Sequence, residues 1–125
     1  MNFPENLKYT KEHEWIKVSG NEALIGITEF ATSELGDVVF IEIETVGDTL
    51  KAGGTFGTVE AVKTVSDLFM PVSGKVLEVN PELEQSPEIV NKYPYDKGWI
   101  IKITMTDPSE LANLLSSADY KQLLG

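Results

Sequence analysis

Gly36-Asp37-Val38-Val39-Phe40-Ile41 and Gly74-Lys75-Val76-Leu77-Glu78-Val79 are the two stretches on which the fold turns. A glycine, a valine and two further aliphatic positions coincide between them at a constant offset. Glycine followed by aliphatics occurs often, so neither stretch means much alone. As a pair they are the trace that a fold of two similar β halves would leave. The segment between the copies would then cross from one half to the other, and it contains Lys63.

Outward from this pair, the chain reads mainly as β. Glu14 to Ser19 alternates like a half-buried strand, Gly20-Asn21 is a hairpin turn, and Glu22 to Thr28 is its partner. Glu29 to Leu35 is a short helix, with Thr28 as N-cap and Gly36 just past its end. Asp37 to Glu44 is a β-branched strand, and Val46 to Gly54 is turn chemistry. Thr55 to Met70 is ambiguous. Val59, Val62 and Phe69 fit one helical face, but β-branched enrichment favours strands. Lys75 to Asn80 and Trp99 to Met105 are further strands, and Glu82 to Asn91 is loop with room for one helical turn. The tail is helical. Asp107-Pro108-Ser109-Glu110 has the pattern of a capping box, Leu111, Leu114 and Leu115 form a stripe, and Ser117 caps a second short helix ending near Leu124.

The 125 residues predict a single domain spanning 1–125. Its strands at 1–28 lead into a core over 36–105 and C-terminal helices over 107–124. Trp15, Phe40 and Trp99 are assigned to the core by default.

Composition removes several functions. There is no cysteine, hence no disulfide framework, thiolate metal site or cysteine nucleophile. The net charge is −10, and all ten basic residues are lysine. Without arginine, and with this acidity, neither nucleic acid nor an anionic membrane surface is an expected partner. No apolar run approaches a membrane span, and Met1 to Thr10 has neither signal- nor transit-peptide character. The expectation is a soluble protein, cytoplasmic if bacterial or mitochondrial if a processed organellar form.

Catalytic patterns are absent too. His13 is the sole histidine, so no Ser-His-Asp arrangement exists, and there is no glycine-rich phosphate loop. Glu12-His13-Glu14 at strand spacing would put His13 opposite its neighbours, so a structural histidine is favoured over a metal ligand. Lys63, flanked by Val62 and Thr64, reads from spacing alone as one solvated lysine among ten.

A wider pattern changes that reading. Val59-Glu60-Ala61-Val62-Lys63-Thr64-Val65-Ser66-Asp67, followed by Pro71-Val72-Ser73-Gly74, resembles the lipoyl-attachment region of glycine cleavage H-proteins. His13-Glu14-Trp15, Gly26-Ile27-Thr28, Leu35-Gly36-Asp37-Val38-Val39-Phe40, Val90-Asn91, Pro94-Tyr95 and Gly98-Trp99 follow in that family's order. The resemblance covers Lys8 to about Leu124. Ala61 departs from it, because the family often has serine there.

The resemblance implies a flattened β-sandwich, a barrel-sandwich hybrid of two similar halves, with the modified lysine at a hairpin tip. Thr55 to Val62 and Asp67 to Val72 would be the hairpin arms. It implies lipoic acid on Lys63, with Glu60 in the attachment motif, and a non-catalytic carrier. An extended lysyl-lipoyl arm would reach about 14 Å from the backbone. It would supply the redox sulfurs that a cysteine-free chain lacks. The implied partners are a lipoate-attaching enzyme, the pyridoxal-phosphate P-protein, the T-protein that passes the one-carbon unit to folate, and the flavin-containing L-protein; the carrier itself is expected to be a monomer. Glu14 and Asp67 match positions that hold the loaded amine in a cleft, and Glu12 occupies a neighbouring position that is often serine.

Two other readings share part of this pattern. A biotinyl carrier would place methionine on both sides of the lysine, and lipoyl domains of 2-oxo acid dehydrogenases sit in longer chains with flexible linkers. An unmodified interaction domain would have no reason to keep Lys63 in these surroundings.

Overall fold

The computed structural model describes residues 1–125. In chain order the elements are β1 (Lys8–Tyr9), β2 (Glu14–Ser19), β3 (Glu22–Ile27), α1 (Glu29–Leu35), β4 (Val38–Glu42), β5 (Thr49–Leu50) and β6 (Thr55–Ala61). There follow β7 (Val65–Phe69), β8 (Gly74–Val79), α2 (Ile89–Lys92), β9 (Ile101–Met105) and α3 (Ser117–Leu124), with 3-10 turns at Pro81–Leu83 and Pro108–Asn113. Six strands form one antiparallel sheet in the order β1-β2-β3-β9-β8-β5, and three form another in the order β4-β6-β7. Neither sheet closes into a barrel. Ile16, Ile25, Ile27, Ile101 and Ile103 of the first sheet and Val38, Phe56, Val59, Ala61 and Leu68 of the second belong to one buried core. The arrangement is the expected β-sandwich.

The two echoed stretches become β4 and β8, one in each sheet. They share more than residue types. The register of β4 on β6 slips between Val38 and Phe40, and that of β8 on β9 slips between Val76 and Glu78. The irregularity thus falls at corresponding positions of both copies. A bulge breaks the strict in–out alternation of a strand, and this corrects one expectation. Val38 is buried, but Val39 and Phe40 are both about half exposed, at 51% and 52%. Phe40 is therefore a surface residue. Trp15 is buried as expected, and Trp99 is half-buried against a second apolar cluster.

Several element ends also differ from the sequence reading. The hairpin arms are Thr55–Ala61 and Val65–Phe69, so Asp67 lies within the second arm instead of opening it. Two-residue strands at Lys8–Tyr9 and Thr49–Leu50 carry too little pattern to be read from sequence. Asp107 does cap the segment that follows, but that segment is a 3-10 turn. Glu110 does not close a capping box, because its carboxylate accepts from the Ser73 N–H and hydroxyl at 2.7 and 3.0 Å. The cap of α3 is Ser116; Ser117 is buried and donates to the Phe3 carbonyl.

The N- and C-terminal ends of the chain meet in an aromatic cluster of Phe3, Leu7, Tyr9, Trp15 and Tyr120. Backbone bonds in both directions join Tyr9 and Leu115, and the Tyr9 and Tyr120 rings stack at 4.9 Å. Trp15 sits where this cluster meets the sheet. It pairs across the ladder with Gly26, and its indole N–H donates to the Pro94 carbonyl at 2.8 Å. The ring fills the space a side chain at Gly26 would need: a β-carbon there would lie 2.6 Å from two ring carbons. Because the indole is both buried and hydrogen-bonded, it cannot simply swing away. Gly26→Ala is expected to destabilise the fold by about 1–3 kcal/mol, the usual cost of overpacking. Urea unfolding followed by tryptophan fluorescence measures it, and an unchanged midpoint would show that the ring yields freely.

Candidate functional site

Lys63 stands at the tip of the β6–β7 hairpin. Glu60 and Val65 are the last paired residues, and the Ala61 N–H closes the turn on the Thr64 carbonyl at 2.9 Å. Outside the glycines only His13 has positive φ, so this turn has no primed geometry and needs no Asn-Gly. It is held from outside the hairpin instead. The Val62 N–H donates to the Asp37 carbonyl at 2.9 Å.

The segment around Asp37 is fixed in turn by Asn91 of α2. Its amide group donates to the Gly36 carbonyl at 3.0 Å and accepts from the Val38 N–H at 2.9 Å. Val90 and Asn91 were legible only as part of a resemblance; the structure gives Asn91 its physical role. Gly36 has φ of +81° and ends α1. The Lys63 stem passes over it, with Cγ, Cδ and Cε at 3.4–3.5 Å from where a β-carbon would stand. The Lys63 side chain is exposed. Its ammonium makes no ion pair, since the chain's one salt bridge joins Lys102 and Glu78.

Leu35, one residue before Gly36, lines a cleft of about 180 Å³. Its apolar lining is Ile27, Ala31, Leu35, Val59 and Leu68. The polar lining includes Glu12, His13, Glu14, Glu34, Ser66 and Asp67. The structure therefore brings together three residues singled out from the sequence: Glu12, Glu14 and Asp67. It leaves Glu60 outside, exposed on β6 opposite Phe40. Glu34 joins the cleft unforeseen; its place, one turn after Ala31 on the same face of α1, is the signal that could have found it.

Glu14 is the unusual member, at 1% exposure. Burial pushes its carboxyl up to about 8, although the Thr10 hydroxyl and the Phe69 N–H, at 2.9 and 3.2 Å, favour the ionised form. The nearby charge of Glu12 adds to the rise. Asp67 and Glu12 are exposed at the rim. No lysine lines the cleft. A partly apolar slot lined by acidic side chains and by no lysine suits a chain of methylenes carrying a cationic group.

His13 is not in β2, contrary to the expected strand spacing. It ends a tight turn from Thr10 with φ of +72°, and its Nδ1 lies 2.7 Å from the Tyr120 hydroxyl. Burial lowers its pKa against the charges of Glu12 and Glu34. No group of side chains in the structure is arranged to hold a metal ion. No helix is long and apolar enough to cross a membrane.

The family model described as glycine cleavage H-protein matches residues 7–125. The glycine cleavage system H protein of Bacteroides thetaiotaomicron is 56% identical over 124 residues, covering 99% of this chain and 98% of that protein. That of Staphylococcus haemolyticus is 57% identical over 125 residues, covering 100% and 99%. The crystal structure of a glycine cleavage system H protein from Mycobacterium marinum superposes with a TM-score of 0.89 at 36% identity, over 98% of this chain and 99% of that one. The chain belongs to the glycine cleavage H-protein family.

Proposed function

We propose that this protein is the lipoyl carrier of a glycine cleavage system, with lipoic acid attached to Lys63. The observation that carries the reading is the placement of Lys63: an unpaired, exposed amine on a hairpin tip that is braced at its base, its stem packed over Gly36, the residue that follows Leu35 of the cleft. The residues present fit the group. Lys63 offers the amine for an amide bond, and Ile27, Ala31, Leu35, Val59 and Leu68 offer apolar surface for an alkyl chain. When bound, the group supplies a dithiolane that can carry an aminomethyl unit and a pair of electrons between enzymes.

The chain's own residues have distinct tasks in this reading. The hairpin presents Lys63 where an attaching enzyme can reach it, and Glu60 stands exposed three residues before it, near the end of β6. Asn91 and Asp37 hold the tip, so the arm swings from a fixed point. Glu14 and Asp67, with Glu12 beside them, offset the cost of burying an ammonium. The apolar walls exclude water from a group that would otherwise decompose. The protein contributes attachment, tethering and shelter and is not itself a catalyst. The visiting enzymes are the pyridoxal-phosphate P-protein, the T-protein and the L-protein, and tethering raises the effective concentration of the arm at each. The bacterial relatives support a cytoplasmic setting.

Attachment is tested directly by incubating the protein with lipoate, ATP and a lipoate ligase. Intact mass is expected to rise by one lipoyl group, mapped to Lys63 and absent in Lys63→Arg. No gain, in a mixture that modifies a known lipoyl domain, would sink the carrier reading. The protected cleft is tested separately: Glu14→Gln and Asp67→Asn are expected to speed loss of the aminomethyl group from purified loaded protein without blocking lipoylation. Unchanged decay in both would remove the cleft from the account.

Glu14 also sets a pH dependence. Its folded-state pKa, about 8, lies above the ordinary 4.5. The folded state therefore holds a proton that the unfolded chain releases, and stability from this group is full below about pH 4.5 and lost as pH rises towards 8. Glu14→Gln, which can keep the bonds to Phe69 and Thr10, is expected to gain stability over the parent as pH rises from 5 to 9, on the order of a few kcal/mol at the upper end. Urea midpoints at the two pH values measure this, and a pH-independent difference would refute it.

A further inference from the structure

Val59, Ser66, Asp67 and Leu68 of the β6–β7 hairpin line one side of the cleft, and two further walls come from other parts of the chain. One is the turn carrying Glu12, His13 and Glu14; the other is the face of α1 carrying Ala31, Glu34 and Leu35. At their root the walls are joined by a backbone bond, from the Thr28 N–H to the His13 carbonyl at 3.0 Å. Above that root one side chain hydrogen-bonds to both. The Tyr120 hydroxyl lies 2.7 Å from His13 Nδ1 and 2.8 Å from Thr28 Oγ1. Thr28 in turn caps α1, accepting from the Ala31 N–H at 3.2 Å.

Tyr120 itself does not line the cleft. It comes from α3, at the far end of the sequence, and is fully buried. Its ring is stacked on Tyr9 and meets Phe3 edge-on at 5.2 Å, so the hydroxyl has little freedom. One ordering of the protons satisfies every group. The Thr28 hydroxyl donates to the Tyr120 oxygen, and the Tyr120 hydroxyl donates to a neutral His13 protonated on Nε2. His13 is held in left-handed backbone, which a residue other than glycine adopts only when its surroundings impose it. The bond from Tyr120 and the packing of the His13 ring on Phe30 at 4.8 Å supply that constraint.

We propose that Tyr120 is a positioning residue for the cleft: its hydroxyl ties the Glu12–Glu14 turn to the capped start of α1 and so sets how closely the two walls stand. The C-terminal helix thereby governs how well a loaded arm is sheltered. That second consequence rests on the cleft reading given under the proposed function, whereas the tie itself does not.

The test uses the full chain with Tyr120→Phe, which keeps the ring and removes the hydroxyl. Tyr9→Phe serves as a control from the same aromatic cluster, since it loses only the bond to the Pro4 carbonyl. Hydrogen exchange in the unloaded protein reads the tie. Tyr120→Phe is expected to speed exchange at the Thr28 and Ala31 amides, and Tyr9→Phe to leave those two unchanged. Decay of the aminomethyl-loaded, lipoylated protein reads the shelter. It is expected to rise about two- to tenfold in Tyr120→Phe, the worth of one hydrogen bond, and not in Tyr9→Phe.

Equal exchange effects from both variants, or none from either, would overturn the proposal. So would unchanged decay in Tyr120→Phe while Glu14→Gln accelerates it. If exchange responds but neither Tyr120→Phe nor Glu14→Gln alters decay, the fault lies with the sheltered-arm reading, and Tyr120 stands as the tie between the walls.

Discussion

The hydrogen bond from the Val62 N–H to the Asp37 carbonyl is the contact on which the arrangement around Lys63 depends. A hairpin tip of valine, lysine and threonine has no turn chemistry of its own. Left alone it would fray, and a tethered group would swing from an undefined origin. The bond docks the tip onto the segment leaving α1, and Asn91 holds that segment on either side of Asp37. The chain of dependence runs from α2 through Gly36–Val38 to the hairpin, and only then to Lys63. Rigidity is thus provided one layer beneath an exposed side chain, which leaves the side chain itself free.

The electrostatics follow a similar division. Of the twenty acidic residues, only Glu14 is sealed inside. Glu14 is buried at a cost that its two hydrogen bonds offset only in part. A buried group of this kind costs stability as pH rises towards its raised pKa, and under the proposed carrier reading it is the partner for a cationic arm. Asp67, Glu12 and Glu34 stand nearer solvent, where they bias the cleft towards positive charge without a comparable burden. Exposed carboxylates attract, and a cation beside Glu14 would favour release of the proton that burial holds there.

Much of this was legible in the residues. The echo of Gly36–Ile41 in Gly74–Val79 pointed to two related strands, and the Thr28 cap and Gly36 stop bounded α1 within a residue. What sequence could not supply was tertiary in origin. The hairpin turn lacks positive φ because its geometry is imposed by Asp37. Phe40 faces outward because a bulge resets the alternation. Glu110 leaves its own helix start because Ser73 competes for it. Asp67 could be grouped with Glu12 and Glu14 only by resemblance, since it lies 53 positions beyond Glu14 and no local period connects them. Tyr120 was invisible for the same reason: a tyrosine on a short amphipathic helix reads as packing, and its hydroxyl acts on residues more than ninety positions away.

The lone ion pair between Lys102 and Glu78 has a bearing on how the molecule meets ionic strength. A fold that relies on one exposed pair has almost no attraction for salt to screen, while its net charge of −10 is self-repulsion that salt relieves. Folding and encounter therefore respond in opposite directions. Counter-ions steady the isolated chain, yet they blunt the long-range pull its surface exerts on a basic visitor. Dilute solution favours rapid meetings and concentrated solution favours the solitary molecule.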